Sequence, residues 1–263
     1  MGRCALLDIG SNTARLVLYD IQGTSFARLV DHKENLGLIS YIADRQLGRD
    51  GLVALGEWMN TASQIVKISG CERVDCFATA ALREVVNKGE VVDYIYRTTG
   101  LQVRILSEPQ EAYYEFRGLM TAREVGSGVC LDVGGGSAQL FSFQEKHLGQ
   151  WISLPIGSLY LYNRFVDGIL PREGQSKRIR SYVKALVREG RFAKKAGTPL
   201  LYVLGGTARA MAQLDMDLAG QNADVDGYVI SLDRVLELIE YIKSMRVEAL
   251  RLLNRVNPDR VHT

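Results

Sequence analysis

Cys4-Ala5-Leu6-Leu7-Asp8-Ile9-Gly10-Ser11-Asn12-Thr13-Ala14-Arg15-Leu16-Val17 is the stretch that decides the fold, because the chain writes it twice. The second copy is Gly128-Val129-Cys130-Leu131-Asp132-Val133-Gly134-Gly135-Gly136-Ser137-Ala138-Gln139-Leu140-Phe141, its Asp 124 positions after the first. Each copy is an apolar run, an Asp, an aliphatic residue, a Gly, two small or polar residues, a Ser or Thr, an Ala and a second apolar run. Apolar runs broken at Gly predict strand–turn–strand. Glycine lets backbone N–H groups approach an anion, and Ser or Thr adds a hydroxyl donor. The Asp at the strand end is a hard oxygen ligand suited to Mg²⁺ or to a metal-bound water. Two such turns facing each other would grip a phosphate from both sides, so the pattern points to phosphate chemistry.

The interval between the copies is about one domain. It predicts two halves of related topology, 1–124 and 125–263, with a hinge near Arg123–Gly128. In the first half, strands are expected at Ala5–Ile9, Arg15–Ile21, Ser25–Asp31, Val74–Phe77 and Leu101–Leu106. Helices are expected over Gly51–Ser69 and from Ala80 to Thr99. Ser107-Glu108-Pro109-Gln110 then opens a further helix, with Ser107 as cap and Gln110 reaching back. In the second half, strands are expected at Val129–Val133, Ala138–Phe143, Trp151–Leu154 and Leu200–Leu204. Helices follow around Ser158–Phe165 and Arg172–Lys195, and a long amphipathic one is capped by Ser231. Strands alternating with helices make this an α/β protein.

Composition narrows the function. Apolar residues make up 47% and charged residues 24%, the balance of a soluble globular chain. A net charge of +2 gives no global bias toward nucleic acid or an anionic membrane. No run approaches the roughly 18 apolar residues of a membrane span. The strand pattern starts within three residues of Met1, so no signal peptide is expected. Cys4, Cys71, Cys76 and Cys130 form no CxxC pair and read as reduced thiols in a cytoplasmic protein. His32, His147 and His262 form no metal-ligand cluster.

Four glycine turns carry the chemistry unequally. Asp8–Thr13 and Asp132–Ser137 reinforce each other, whereas either alone reads equally well as an ordinary hairpin. Gly205-Gly206-Thr207-Ala208-Arg209 follows a short apolar strand and opens a helix, a place where helix dipole and free N–H groups favour an anion. Pro155-Ile156-Gly157-Ser158 carries the weakest signal and reads first as a structural turn. Glu111 is the candidate general base, an ionised carboxylate in a first helical turn just after a strand. Glu108 and Glu115 share its face, and the residues alone do not choose among the three. Arg83, at a helix start after a strand, has the planar fork that suits phosphate. Arg172, Lys177, Arg178, Arg180, Lys184, Arg188, Arg191, Lys194 and Lys195 make one helical region basic, either a solvated face or a guide for a polyanion.

The order Leu-Asp-Ile-Gly-Ser-Asn-Thr, Ala-Thr-Ala-Ala-Leu-Arg, Glu-Ala, Asp-Val-Gly-Gly-Gly-Ser, Ser-Leu-Pro-Ile-Gly and Gly-Gly-Thr-Ala-Arg resembles the exopolyphosphatase/guanosine pentaphosphate phosphohydrolase family. That family belongs to the acetate kinase–sugar kinase–Hsp70–actin superfamily. The resemblance implies two ribonuclease-H-like (actin-like ATPase) domains with an interdomain cleft. It implies a Mg²⁺-dependent hydrolase releasing terminal phosphate from inorganic polyphosphate or pppGpp, cytoplasmic and, by analogy, a homodimer. Carried over by position, Ser11, Asn12 and Thr13 match one phosphate loop, and Gly134, Gly135, Gly136 and Ser137 the other. Asp132 matches the acid near the metal, with Asp8 as its counterpart in the first copy. Arg83 matches a phosphate-contacting Arg, and Gly205, Gly206, Thr207 and Ala208 match the superfamily's adenosine motif. Glu111, directly before Ala112, matches the catalytic Glu, which under the resemblance sets aside Glu108 and Glu115.

The chain departs from the family pattern at three places. Gln139 stands where a metal-holding Glu is usual, the pair of acids before the Ala-Arg step is reduced to Gln110-Glu111 with Tyr113 in place of the Arg, and Asp226-Gly227-Tyr228 stands where His-Gly-Tyr is frequent. A neutral amide at 139 lowers the expected affinity for the metal. The second domain is expected to be truncated at its end and the helical extensions of long members to be missing, an expectation that favours short polyphosphates or nucleotides. The competing expectations are a non-catalytic polyphosphate or alarmone sensor and a small-molecule kinase on the same fold.

Overall fold

The computed structural model describes residues 2–122, 124–168, 170–192 and 200–245. Three expectations lie partly or wholly outside these residues: the hinge at Arg123, Lys194 and Lys195 of the expected helix Arg172–Lys195, whose described part is helical only over Glu173–Glu189, and the chain end. The described residues fall in two compact units, Met1–Glu111 and Ala112–Thr263.

In the first unit the strands are β1 (Gly2–Ile9), β2 (Thr13–Gln22), β3 (Ser25–Asn35), the two-residue β4 (Ile42–Ala43) and β5 (Gln46–Leu47), β6 (Arg73–Ala78) and β7 (Val103–Ile105). Between them come helices α1 (Arg49–Ile68), α2 (Ala80–Arg83) and α3 (Lys88–Thr99), and α4 (Glu108–Ala122) begins after β7. The main sheet runs β3-β2-β1-β6-β7. β1, β2 and β3 pair antiparallel, whereas β6 and β7 join β1 in parallel. Alternation decides the faces: Ala5, Leu7 and Ile9 of β1 are wholly buried. Against them packs α1, whose Leu55, Trp58, Met59, Ala62 and Val66 fall at helical spacing on one buried stripe. Truncating one of these, such as Leu7→Ala, costs on the order of 2–5 kcal/mol.

The helical patterns expected from Ala80 to Thr99 form two helices. The break falls at 84–87, where Asn87 turns its amide onto the backbone N–H and C=O of Leu47, forty residues away, with both bonds 3.0 Å. α3 then ends at Gly100, whose φ of 74° places it in the left-handed conformation of a helix stop.

The second unit holds β8 (Ser127–Val133), β9 (Ala138–Gln144), β10 (His147–Leu154), α5 (Ser158–Phe165), α6 (Glu173–Glu189), β11 (Leu201–Leu204), α7 (Gly206–Leu218) and α8 (Leu232–Met245). Its sheet runs β10-β9-β8-β11, with β11 parallel to β8 and the other pairs antiparallel. This repeats the β3-β2-β1-β6 arrangement strand for strand. Phe116, Leu119, Cys130, Phe141 and Phe143 form its buried centre. Phe116 stands edge-on to Phe141, centroids 6.4 Å apart. Among the described residues no helix is long and apolar enough to cross a membrane.

Candidate functional site

The two copies of the motif fold into the same object. Each is closed by one backbone bond, Gly10 N–H to Thr13 O at 2.9 Å and Gly134 N–H to Ser137 O at 3.0 Å. A Cβ on Gly10 would stand 3.0 Å from Thr13 O, and one on Gly134 3.1 Å from Ser137 O. Neither glycine has a positive φ. Their requirement is for space where the chain doubles back.

What holds each turn comes from outside it. Gly37 N–H donates to Asn12 O at 2.8 Å and Ile39 N–H to Ser11 O at 3.0 Å. In the second unit Gly157, Ser158 and Tyr160 donate to the carbonyls of Gly136, Gly134 and Gly135 at 3.3, 2.9 and 3.0 Å. A trans peptide points its N–H opposite to its C=O, and among the described residues no peptide is cis. Carbonyls tied back on one side therefore send the N–H groups of Asn12 and Thr13, and of Gly135, Gly136 and Ser137, toward the other. Pro155–Ser158 thus has a structural role: it spends the free N–H groups at the start of α5 on the glycine turn. A Cβ on Gly157 would lie 2.5 Å from the backbone of Gly135 and Gly136, so only glycine fits there.

In the first unit β1, β6 and β7 are parallel and end together, at Ile9, Ala78 and Ile105. Thr79 N–H donates to Ile9 O, and Leu106 N–H to Ala78 O. This gathers Ser11–Thr13, the start of α2 and the start of α4 at the carboxyl edge of one sheet, where open α/β sheets bind ligands. Arg83 and Glu111 meet there. Arg83 Nη1 donates to Glu111 Oε2 at 2.7 Å and to Leu106 O at 3.2 Å, and the two side chains are only 13% and 12% exposed. Burial raises the proton affinity of Glu111, and the Arg83 hydrogen bond and charge pull it back only in part. Glu108 adds a smaller upward push. The capping expected of Ser107 forms by half: Gln110 Oε1 accepts from the Ser107 N–H at 3.0 Å, and the Ser107 hydroxyl bonds that same oxygen. Glu115 lies beyond the division; burial first, then Asp132 and Glu115, raise the Cys130 thiol.

The two Asp residues have different neighbours. Strand register places Arg15 directly opposite Asp8, and Gln139 directly opposite Asp132. Arg15 is locked on Asp31 at 2.7 and 2.6 Å, and that bond, with a small contribution from Asp8, raises its affinity for its proton. Gln139 is a neutral amide, 3% exposed, and its Nε2 donates to Ser137 Oγ at 2.9 Å.

The third glycine turn lies beside the second, since β11 ends at Leu204 next to Asp132 of β8. Gly205 has φ 91°, and a Cβ there would come within 2.6 Å of Asp132 Oδ1 and of Val133 O. The Asp132 carboxylate is therefore seated against the N-terminus of α7, where helix dipole favours negative charge. Arg209 of this motif stands 3.6 Å from Asp226, one of the residues departing from the family pattern. Tyr113, another, is 46% exposed.

Asp215 of α7 escaped the sequence reading. It is buried and accepts from Tyr228 Oη at 2.9 Å and Arg234 Nε at 2.7 Å, which fastens the loop after α7 and the start of α8. Ser231 caps α8 as expected, accepting from Arg234 N–H at 3.1 Å. On α6, Lys177, Arg180, Lys184 and Arg188 fall at steps of three or four on the exposed face, while Ile179, Tyr182, Val183 and Leu186 turn inward.

The Ppx/GppA phosphatase family model matches residues 17–263. Exopolyphosphatase 1 of Mycobacterium leprae is 24% identical over 98% of this chain and 78% of its own length. Among solved structures, the Aquifex aeolicus Ppx/GppA family member superposes with a TM-score of 0.78 at 22% identity, covering 99% of this chain and 86% of its own. An exopolyphosphatase from Cytophaga hutchinsonii gives 0.84 at 21% identity, covering 92% and 80%. These likenesses carry the fold, an α/β pair of ribonuclease-H-like units of the actin type. With its doubled strand–turn–strand motif and a family match over nearly all its length, the chain belongs to the Ppx/GppA phosphatase family.

Proposed function

We propose that this chain is a phosphoanhydride hydrolase that releases terminal phosphate from inorganic polyphosphate or from pppGpp. The observation that carries the reading is the tied-back carbonyls: in both turns the N–H groups are oriented before any ligand arrives, as stabilisation of a phosphoryl transition state requires. Mycobacterial relatives named exopolyphosphatase support the polyphosphate side of the choice.

Glu111 is the base. Burial gives it more affinity for a proton than a surface carboxylate has, and Arg83 keeps it ionised and fixes one oxygen. The other oxygen is left to orient and deprotonate the attacking water. Arg83 has further donors, which serve the phosphate in the first unit, and each turn taken by itself, 11–13 in the first unit and 134–137 in the second, offers N–H groups that neutralise charge on phosphate oxygens. Among the described residues no group of three or more His, Cys, Asp or Glu comes together. Mg²⁺ does not need one: it binds through one or two carboxylates, water and substrate phosphate. Asp132, opposite a neutral Gln139, fits as the ligand in the second unit, and Asp8 is its counterpart in the first. Bound there, Mg²⁺ would supply charge neutralisation on the phosphate.

The test is phosphate release from tripolyphosphate, long-chain polyphosphate and pppGpp, with Mg²⁺ and with chelator. Glu111→Gln should lower the Mg²⁺-dependent rate at least about 100-fold, the scale of a base contribution. Equal rates in the two proteins would remove the assignment. A non-catalytic sensor is the second reading, favoured by the neutral Gln139. Tight binding of these ligands without turnover would establish it.

A further inference from the structure

A hydroxyl has one proton to give and two lone pairs to receive with. At Ser137 the question of which it uses is answered by its neighbour. Gln139 Nε2 donates into Ser137 Oγ at 2.9 Å, and both side chains are buried, 3% and 9% exposed. An oxygen that already accepts from an amide leaves its own proton for another acceptor. Ser137 closes the turn whose N–H groups point away from α5, and a phosphate arriving on that side presents only acceptors. We infer that Gln139 is a positioning residue that commits the Ser137 hydroxyl to donate to a bound phosphate oxygen. The inference rests on reading the second turn as a phosphate loop, and it explains how that turn works with a neutral side chain opposite Asp132. A carboxylate at 139 can only accept. It would draw the Ser137 proton to itself, turn lone pairs toward the ligand and add a negative charge beside it.

The probe is tripolyphosphate, and the readout is calorimetric affinity in chelator, so that neither a cation nor turnover is required. Gln139→Leu removes the donor and should weaken binding about tenfold, the scale of one hydrogen bond to a charged group. Gln139→Glu should weaken it further, and added Mg²⁺ should restore more of the loss in that variant than in Gln139→Leu, because the new carboxylate adds a second ligand beside Asp132. Ser137→Ala should also weaken binding, and Gln139→Leu made on top of it should add less than about twofold, because Gln139 acts through that hydroxyl. A purely structural role predicts the opposite: full additivity, with affinity tracking a lowered unfolding temperature. Full additivity overturns the inference. So does unchanged affinity in a folded Gln139→Leu, or a wild type that binds no tripolyphosphate. If Leu at 139 does not fold, Gln139→Asn, which keeps the amide but shortens its reach, takes its place with the same tenfold expectation. Binding that follows this pattern without any phosphate release leaves the inference standing and removes the hydrolase reading instead.

Discussion

Arg83→Met takes away the guanidinium that holds Glu111 and leaves most of the aliphatic bulk. Arg83 Nη1 lies 2.7 Å from Glu111 Oε2, with side-chain exposures of 13% and 12%. Removing one partner of a fully buried pair costs about 3–5 kcal/mol. The small remaining exposure admits some water and brings the expectation here to about 2–3 kcal/mol at neutral pH. Expressed as proton affinity, this tightens the hold of Glu111 on its proton beyond the wild type, because the lowering influence of Arg83 is gone. The sign follows from proton linkage. Glu111 already titrates above its ordinary 4.5 in the folded chain because burial outweighs Arg83. A carboxyl raised by folding favours the fold when protonated, and that contribution is lost as pH rises from 4.5 through the folded pKa. The variant, raised further, loses more over the same climb. The stability gap between wild type and Arg83→Met should therefore be small near pH 4.5 and widest near pH 8. A constant offset of about 1 kcal/mol comes from the Leu106 carbonyl, which loses its donor at every pH. Urea unfolding followed by Trp58, buried in the first unit, measures the gap when Trp151 is replaced by Phe. In a Glu111→Gln background the pH-dependent part should vanish. A gap of equal size at both pH values, or one that persists unchanged in the Glu111→Gln background, would refute the account of this pair.

The acid limb of phosphate release should lie above pH 4.5, because Glu111 must be ionised to act and burial raises it; a pH–rate profile at saturating substrate checks this. Gly157→Ala should fold with a displaced α5 and bind tripolyphosphate at least about tenfold more weakly by calorimetry, since its Cβ meets backbone atoms at 2.5 Å that have nowhere to go. Gly205→Ala should lower stability by about 1–3 kcal/mol from its positive φ with extended ψ alone, a conformation open essentially to glycine, measured by thermal unfolding. Cys76, pushed up to about 12 by burial and by Asp8, and Cys130, pushed higher still, should resist iodoacetamide at pH 8 in the native protein, while half-exposed Cys71 reacts first; peptide mass mapping resolves them.

The sequence carried the strands, the turns and the order of the motifs because these depend on local pattern. Asp8 and Asp132, seven residues before Arg15 and Gln139, already implied cross-strand pairs once the hairpins were drawn. The break between α2 and α3 was not legible, because its cause is Asn87 bonding to Leu47, a tertiary contact that propensity cannot see. Gly157 was given little weight for the same reason: its partners, Gly135 and Gly136, are neighbours only in the fold. Asp215 carried no signal at all, since an acid on a helix is ordinarily solvated and only Tyr228 and Arg234 make it otherwise. The meeting of Arg83 with Glu111 needed the parallel order of β6 and β7, which alternation alone does not give.

Glycine is usually credited with suppleness, yet in these turns it supplies thinness. Gly10 and Gly134 keep ordinary backbone angles, and Gly157 is pressed flat against its neighbours. The segments at 37–39 and 157–160 act as splints, so the peptides they grip were immobilised when the chain folded. Ordering one backbone residue costs about 1–2 kcal/mol, and a guest entering such a splinted turn is relieved of that toll. Stiffening the protein by the common exchange of glycine for alanine would here pry the splint loose and produce a softer loop.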